Sequence, residues 1–545
     1  MKKTTIKVLG MLLIFLLGSA TTIDNNSNRH FEILKNLEIF SNLYKEVNTY
    51  YVDEIDPGQF MRTGIDAMVK SLDPYTNYYS EADIEGYRIM TEGKYHGIGA
   101  KSDIIDGYVT IMGLNKDQPA DKAGLKVGDQ ILEVDGKDAK GKTMDEFNQI
   151  ARGFPGTTMH LKIKREGEVR PLDIELVREE VKVENVPFHG IIGNDDIAYI
   201  SLTTFTRDAG KNIETAIKDL RKKNDHLKGI VLDLRDNGGG LLNEAVNIVN
   251  LFVPKGEIVV STRGKIKEWN RDFKTAKPPY DLDIPVTVLI NGRSASASEI
   301  VSGVMQDYDR GVLIGRQSYG KGLVQNTMDI GYNSKVKVTT AKYYIPSQRC
   351  IQAIEYKNGE PVHIPEDQRM PFKTRNGRTV YDGGGIKPDV LVDSGMSSKI
   401  VKSLIKDHQI FKFVTNYCSQ GLVINDIENY HFTDFDAFMS FLERENFDFN
   451  LDSDQSLTKF KEQAKEDGFE LGGALSNLEK EIIDAKKREI LKYKSTIVNL
   501  IEKDIAGRYF YEEGKIKMGL RNDEEVKKAI EILHDSATYN RLLGK

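Results

Sequence analysis

Three serines, one lysine and one run of glycines are the residues whose types and spacing invite chemistry. The segment Asn291-Gly-Arg-Ser-Ala-Ser-Ala-Ser-Glu299 brings Ser294, Ser296 and Ser298 to the start of a helical pattern, just after an apolar run. Small residues there let a substrate backbone approach, and a helix start directs free amides and a positive dipole end at the same spot. Ser296 to Glu299 also fits a capping box, in which the serine only holds the helix start. The loop alone leaves nucleophile and cap equally open. It is not the Gly-x-Ser-x-Gly elbow, because Ser296 stands where the second glycine would be. Lys321 lies between Gly320 and Gly322, which let its backbone come close to another loop. Burial lowers a lysine from its ordinary pKa of about 10.4, and the neutral amine can then take a serine's proton. The competing reading is an exposed turn lysine. Asn237-Gly238-Gly239-Gly240 could aim amides at an oxyanion or serve only as a flexible turn. No Gly-Lys-Ser/Thr ending follows, which disfavours a nucleotide loop. None of the nine histidines falls in a triad motif or a His-Glu-x-x-His helix, so no metal or cofactor is implied.

Elements of two kinds must position these groups. Gly229–Arg235, Pro285–Asn291 and Gly311–Gly315 read as buried strands. Helical segments follow the first two, with Leu241, Ala245, Ile248, Val249 and Phe252 on one face and Ile300, Val301, Val304 and Met305 on another. Strands alternating with helices argue for an α/β domain with its working loops at the strand C-terminal ends. Phe31, Leu34, Leu37, Phe40 and Tyr44 give residues 31–92 a helical lead-in, turned at Ser71-Leu72-Asp73-Pro74. Beyond Val392 the chain turns helical and charged. Leu475, Leu478, Ile482, Ala485, Ile490, Ile497, Leu500 and Ile501 ride one long helix there, read as a solvated appendage with dimerisation the weaker alternative.

Length and charge narrow the field. At roughly 150 residues per domain, 545 residues make several domains. A net charge of −6 gives no reason to expect nucleic acid. Two cysteines, Cys350 and Cys418, build neither a disulfide framework nor a Cys-rich zinc site. Lys2, Lys3 and Lys7 precede an apolar run from Val8 to Leu17 and the small residues Gly18, Ser19 and Ala20. Residues 1–20 therefore read as a signal peptide, or an uncleaved membrane anchor, and place the bulk of the chain in the periplasm or cell envelope.

From His96-Gly97-Ile98-Gly99-Ala100 onward come short strands at Tyr108–Met112, Gln130–Val134 and Met159–Ile163. Between the first two lie a short helix at Pro119-Ala120 and a turn at Gly128-Asp129, and Asp135-Gly136 is a hairpin signal. Residues 93–180 resemble a PDZ domain. That resemblance implies that His96, Gly97, Ile98 and Gly99 form a loop whose amides take a peptide's C-terminal carboxylate, the peptide adding as a strand. The plain alternative is that these glycines only permit tight turns.

Four motifs then occur in order: Leu232-Asp-Leu-Arg-Asp-Asn-Gly-Gly-Gly240, Asn291–Glu299, Tyr319-Gly-Lys-Gly-Leu-Val-Gln325 and Gly385-Ile-Lys-Pro-Asp-Val390. Together they resemble the C-terminal processing peptidases, or tail-specific proteases, over residues 31–392. The resemblance implies a multidomain α/β protein: a crotonase-like (ClpP/crotonase-type) core over 181–392, an inserted PDZ domain, and helical regions at 31–92 and 393–545. It implies an exported serine endopeptidase acting on protein or peptide substrates with a free C-terminus. In the family a nucleophilic serine precedes the lysine by 25 positions and a glutamine follows it by four, which assigns Ser296, Lys321 and Gln325. Backbone amides of Gly239, Gly240 and Ala297 would hold the oxyanion. Many members carry proline or serine where this chain has Gly238. A silent ligand- or peptide-binding protein on the same fold is the alternative.

Overall fold

The computed structural model describes residues 28–545, apart from 84–87, 89–91, 152, 195, 358, 393–397, 428, 446, 448–451, 470 and 471. The expected signal segment, 1–20, lies outside them. No helix among the described residues is long and apolar enough to cross a membrane. The chain divides into two units, each taken by itself. In the first, a helix spans 28–50 and a second, α1 (Pro57–Lys70), starts at the N-cap Asp56, whose carboxylate accepts from the Gln59 N–H at 2.8 Å. The three-residue spacing of Phe31, Leu34 and Leu37 does form a helix, with all three side chains exposed.

The second unit begins with a six-stranded antiparallel sheet. Its strands are β2 (Ala100–Ile105), β3 (Tyr108–Leu114), β4 (Gln130–Val134), β5 (Lys137–Asp138), β6 (Thr158–Lys164) and β7 (Leu172–Val177), with β2 at an edge. Before it, β1 (Lys94–Gly97) pairs with β8 (Glu179–Lys182), and α2 (Pro119–Lys122) and α3 (Met144–Ala151) complete the segment. Alternation along β6 is strict: Met159, Leu161 and Ile163 are buried while Thr158, His160 and Lys164 are exposed, as one buried sheet face requires.

The second six-stranded sheet runs in the order β9 (Phe188–Ile192), β10 (Ile197–Ser201), β11 (Gly229–Asp233), β14 (Val286–Ile290), β15 (Val312–Gly315) and β18 (Val390–Leu391). Between β11 and β14, β12 (Ile258–Gly264) and β13 (Arg271–Lys274) leave it for an antiparallel sheet with β16 (Leu323–Gly331) and β17 (Ser334–Tyr344). Only β9 is antiparallel to its neighbour in the main sheet. Every residue of β10, β11, β14 and β15 is buried, because both faces are covered. Ala198, Ile200, Ile230, Leu232, Val286 and Val288 meet α4 (Ala209–Lys223), α5 (Leu242–Val249) and α6 (Ala297–Asp307). Ile197, Tyr199, Val231, Leu289 and Ile314 face the other way.

That second face is covered from the far end of the sequence. After α7 (Lys399–Lys406), α8 (Gln409–Ser419), α9 (Phe435–Arg444) and α10 (Asp452–Glu466), the chain continues as α11 (Gly472–Lys492), α12 (Lys494–Leu520), α13 (Glu524–His534) and α14 (Ser536–Leu542). Val526, Ala529, Ile532, Leu533 and Tyr539 pack onto the main sheet. The Tyr539 hydroxyl accepts the Val286 N–H at 2.9 Å. The solvated appendage is thus corrected, since these helices supply half of the sheet's cover and a separate core around Phe413, Phe432, Phe438 and Phe441. The expected single long helix is two, parted at Tyr493. Ile490, Ile497 and Ile501 are buried in that core because the aromatic cluster lies against them.

Candidate active site

The three motif loops meet at the C-terminal ends of β11, β14 and β15. Ser294 and Ser298 are fully buried with their hydroxyls committed. The first donates to the Leu234 carbonyl and the second to the Asn237 carbonyl, each at 2.8 Å. These bonds tie the serine loop to the glycine loop and remove both hydroxyls from the surface. Ser296 is the partly exposed one of the three. Its backbone sits at φ 56°, ψ −112°, a conformation that costs a non-glycine residue about 1–3 kcal/mol.

Glu299 organises the site. Fully buried on the first turn of α6, its Oε2 accepts the N–H groups of Ser296 and Lys321, both at 2.8 Å. Its Oε1 accepts the Gly320 N–H at 2.7 Å and the Ser318 hydroxyl at 2.5 Å. Burial pushes this carboxyl above its ordinary value, while the four donors pull the other way. Ser296 and Glu299 form the capping box that the spacing suggests, and the same carboxylate also fixes the lysine loop. Across the site the buried Tyr343 hydroxyl lies 2.6 Å from the Lys321 carbonyl and 3.2 Å from that of Ser296. Gly320, at φ 88°, would place a Cβ only 2.3 Å from that of Ala353, so no side chain fits there.

The glycine loop is set by the three residues before it. The Asp236 carboxylate accepts from Asn291 Nδ2 and Arg293 Nε, both at 2.7 Å. Asn237, wholly buried, donates through Nδ2 to the Leu202 carbonyl at 2.7 Å and accepts the Ala295 N–H on its own carbonyl at 3.0 Å. Arg235, largely buried, pairs with Asp233, Asp523 and Glu525. Gly239 abuts the serine: a Cβ on it would lie 2.8 Å from that of Ser296. Its N–H donates to Asn237 Oδ1 at 2.9 Å, so this amide is engaged within the loop in the conformation seen. Ala297 opens α6, and its N–H therefore has no acceptor inside the helix. Gly240 lies beside Phe205. Gln325, on β16, donates through Nε2 to Thr339 Oγ1 at 3.3 Å.

Gly97, Ile98 and Gly99 join β1 to β2. Their carbonyls anchor the loop, Ile98 accepting from Ala120 at 2.8 Å and Gly99 from Asn115 at 2.9 Å. His96 belongs to β1 opposite Glu180, with its Nε2 3.0 Å from Arg88 Nη1.

The pattern of peptidase family S41 matches residues 196–359, that of a PDZ domain residues 96–176, and that of a probable PDZ-protease C-terminal helical domain residues 400–533. A carboxy-terminal-processing protease of Bartonella bacilliformis is 38% identical over 377 residues, 68% of this chain and 84% of that protein. The chain belongs to this family of carboxy-terminal-processing proteases. It is a serine-type peptidase carrying a PDZ domain. The protease is also 32% identical to a probable CtpA-like serine protease of Staphylococcus aureus, over 66% of this chain and 65% of that one. A solved photosystem II D1 C-terminal processing protease shares 24% identity, covering 65% of this chain and 92% of its own, with a TM-score of 0.36.

Sequence reasoning missed Tyr343, the Asn237 side chain and the Arg235 pairing. Arg235 alone carried a signal, a charge at the end of a buried strand. Tyr343 acts 22 residues beyond Lys321, outside any local pattern.

Proposed function

We propose that this chain is an exported endopeptidase that selects proteins by their C-terminal tail and cleaves them with a Ser296/Lys321 dyad. The observation that carries the reading is the double tether of those two residues by Glu299 and Tyr343. Ser296 attacks the scissile carbonyl while neutral Lys321 accepts its proton; the ammonium then protonates the leaving amine. Gln325 orients Lys321, its Oε1 serving as the acceptor while Nε2 bonds Thr339. The oxyanion is held by the amides of Ala297 and the glycine loop, Gly239 joining once its N–H leaves Asn237. The core is of the crotonase type with the PDZ domain inserted ahead of it. A substrate tail adds along the edge strand β2, its carboxylate on the Gly97–Gly99 loop. The basic and apolar N-terminal segment supports delivery to the cell envelope.

Ser296→Ala and Lys321→Ala should each abolish peptide cleavage in a folded protein, chelators should have no effect, and activity should rise with pH as the lysine loses its proton. Full turnover by either variant would defeat the dyad. A serine-directed covalent probe that fails to label the wild type would instead favour a silent binding protein.

A further inference from the structure

The hairpin joining β12 to β13 carries the chain's single tryptophan, Trp269, at its tip. Its base is fixed, since Val259 and Val260 belong to the main core and Phe273 packs against it. The tip is a closed turn. The Trp269 N–H donates to the Ile266 carbonyl at 3.1 Å, the Asn270 N–H to the Lys267 carbonyl at 3.0 Å, and the Gly264 N–H to Asn270 Oδ1 at 2.8 Å. Lys267–Trp269 is a 3-10 turn, in which side chains three apart stand on one side. Ile266 and Trp269 therefore share a side, and each is 44% exposed. The turn holds two large apolar side chains out in water instead of folding them onto the sheet.

Cations surround that apolar pair. Arg263–Lys274 contains five cations and two acids, a net charge of +3 within a chain of net charge −6. One of the acids, Asp272, is taken by Arg263 at 2.7 Å. Lys265, Lys267 and Arg271 are exposed, and among the described residues none of the three is paired with a carboxylate. They flank Ile266 and Trp269 on both sides in sequence. Because β13 is the edge strand of its sheet, this hairpin meets solvent at a rim, where a broad surface has access.

We propose that the hairpin tip is a docking surface for an anionic phospholipid bilayer. Ile266 and Trp269 enter the headgroup layer, and Lys265, Lys267 and Arg271 meet the lipid phosphates. An indole suits the boundary between apolar and wet surroundings. Lysine stems lie along apolar surface while their ammonium groups reach out of it, and clustered cations are drawn to anionic headgroups. An acidic protein would satisfy the cations equally well. Lipid is favoured by the basic and apolar segment at residues 2–17, which brings the chain to a bilayer. In that respect the proposal rests on the envelope reading above; the dyad has no part in it.

Trp269, being the only tryptophan, makes the test specific to this hairpin even when the N-terminal segment also binds lipid. Full-length protein is titrated with vesicles of phosphatidylcholine alone and with vesicles in which phosphatidylglycerol replaces part of it, and tryptophan emission is followed. With anionic vesicles the emission should move to shorter wavelength and be quenched by brominated acyl chains, and high salt should reverse both. Neutral vesicles should leave it unchanged. Lys265→Gln, Lys267→Gln and Arg271→Gln combined should weaken the response about a hundredfold, at about fivefold for each cation. Circular dichroism and cleavage of a soluble peptide should not change in that variant. Protein that sediments with anionic vesicles while Trp269 emission stays constant would assign lipid binding to the N-terminal segment and overturn the proposal. An equal response to neutral vesicles, or an undiminished one in the triple variant, would overturn it too. A response to polyglutamate but not to vesicles would put an acidic protein in the place of lipid. None of these results bears on Ser296 or Lys321, so the peptidase reading stands or falls separately.

Discussion

Ser296 and Lys321 are joined through both polarities of their backbones: one carboxylate, Glu299, accepts the N–H of each, and one hydroxyl, Tyr343, faces the carbonyl of each. Twenty-five residues apart in sequence, they are fixed relative to one another by groups that do no chemistry themselves. The precision of the proposed dyad therefore resides in residues other than the two assigned to react.

Tyr343→Phe tests the hydroxyl half of that link. It removes this donor from the Lys321 carbonyl, while the Ser296 carbonyl keeps the N–H groups of Glu299 and Ile300, and costs about 1–3 kcal/mol. The melting temperature should fall, and kcat should fall about tenfold or more with KM little changed. Steady-state kinetics beside a thermal melt will show it; an unaltered kcat would mean that the hydroxyl only stabilises the fold.

Glu299→Gln tests the other half. Four donors converge on two oxygens, and an amide can accept through only one of them, so one pair of donors is lost. We expect roughly 2–4 kcal/mol of destabilisation and near-complete loss of turnover. The pH dependence has a definite sign. Burial raises the folded carboxyl above the ordinary 4.5, so its contribution is whole below that pH and is lost as pH rises through the raised value. The stability gap between wild type and variant should narrow from pH 4.5 upward. Glu525 and Asp307 are raised by burial too, but they are common to both proteins and cancel. Urea midpoints across that range are the measurement; a widening gap would reverse the assignment.

Neighbouring glycines should behave oppositely. Gly239→Ala must place a Cβ at φ 98°, 2.7 Å from the Ala295 carbonyl oxygen, and should abolish activity. Gly238 has no atom within 4 Å of its Cβ position and no positive φ. Gly238→Ala should keep activity and gain up to about 1 kcal/mol by restricting the unfolded chain. Equal damage from both would show that the loop needs flexibility rather than room.

In the PDZ domain, the Tyr95 ring lies over Gly97, within 2.6 Å of where a Cβ would be, and the Gly99 N–H is directed at its hydroxyl. Burial raises this phenol, so it is neutral at ordinary pH. Tyr95→Phe removes a competitor for that amide. Free-acid peptides should then bind severalfold more tightly to the full-length Ser296→Ala protein, and amidated ones should not change. Calorimetric titration distinguishes this from a general loosening, which would move both.

Much of this was legible in the sequence because it is local. Buried parallel strands write themselves as unbroken apolar runs, so Gly229–Asp233, Val286–Ile290 and Val312–Gly315 lie where the pattern put them. The hairpin at Asp135-Gly136 and the loops at strand ends follow from short-range turn chemistry. Among Ser294, Ser296 and Ser298, local reading could not choose. The structure separates them through acceptors about sixty positions away, at Leu234 and Asn237. The C-terminal helices misled for a related reason. Their charged faces suggested solvent, but Val526, Ala529 and Leu533 answer to strands some 200 to 340 residues earlier, a pairing that no helical periodicity records.

Distance along the chain is also distance in time. Arg235 and Glu525 are separated by 290 residues, and at about 5–20 residues per second a ribosome needs roughly 15–60 s to travel between them. Throughout that interval the guanidinium at the foot of the glycine loop lacks its two distant carboxylates, and one face of the main sheet waits for Val526 and Tyr539. A growing chain thus makes the glycine loop well before the carboxylates that brace its foot, and the loop reaches its final setting only after they arrive.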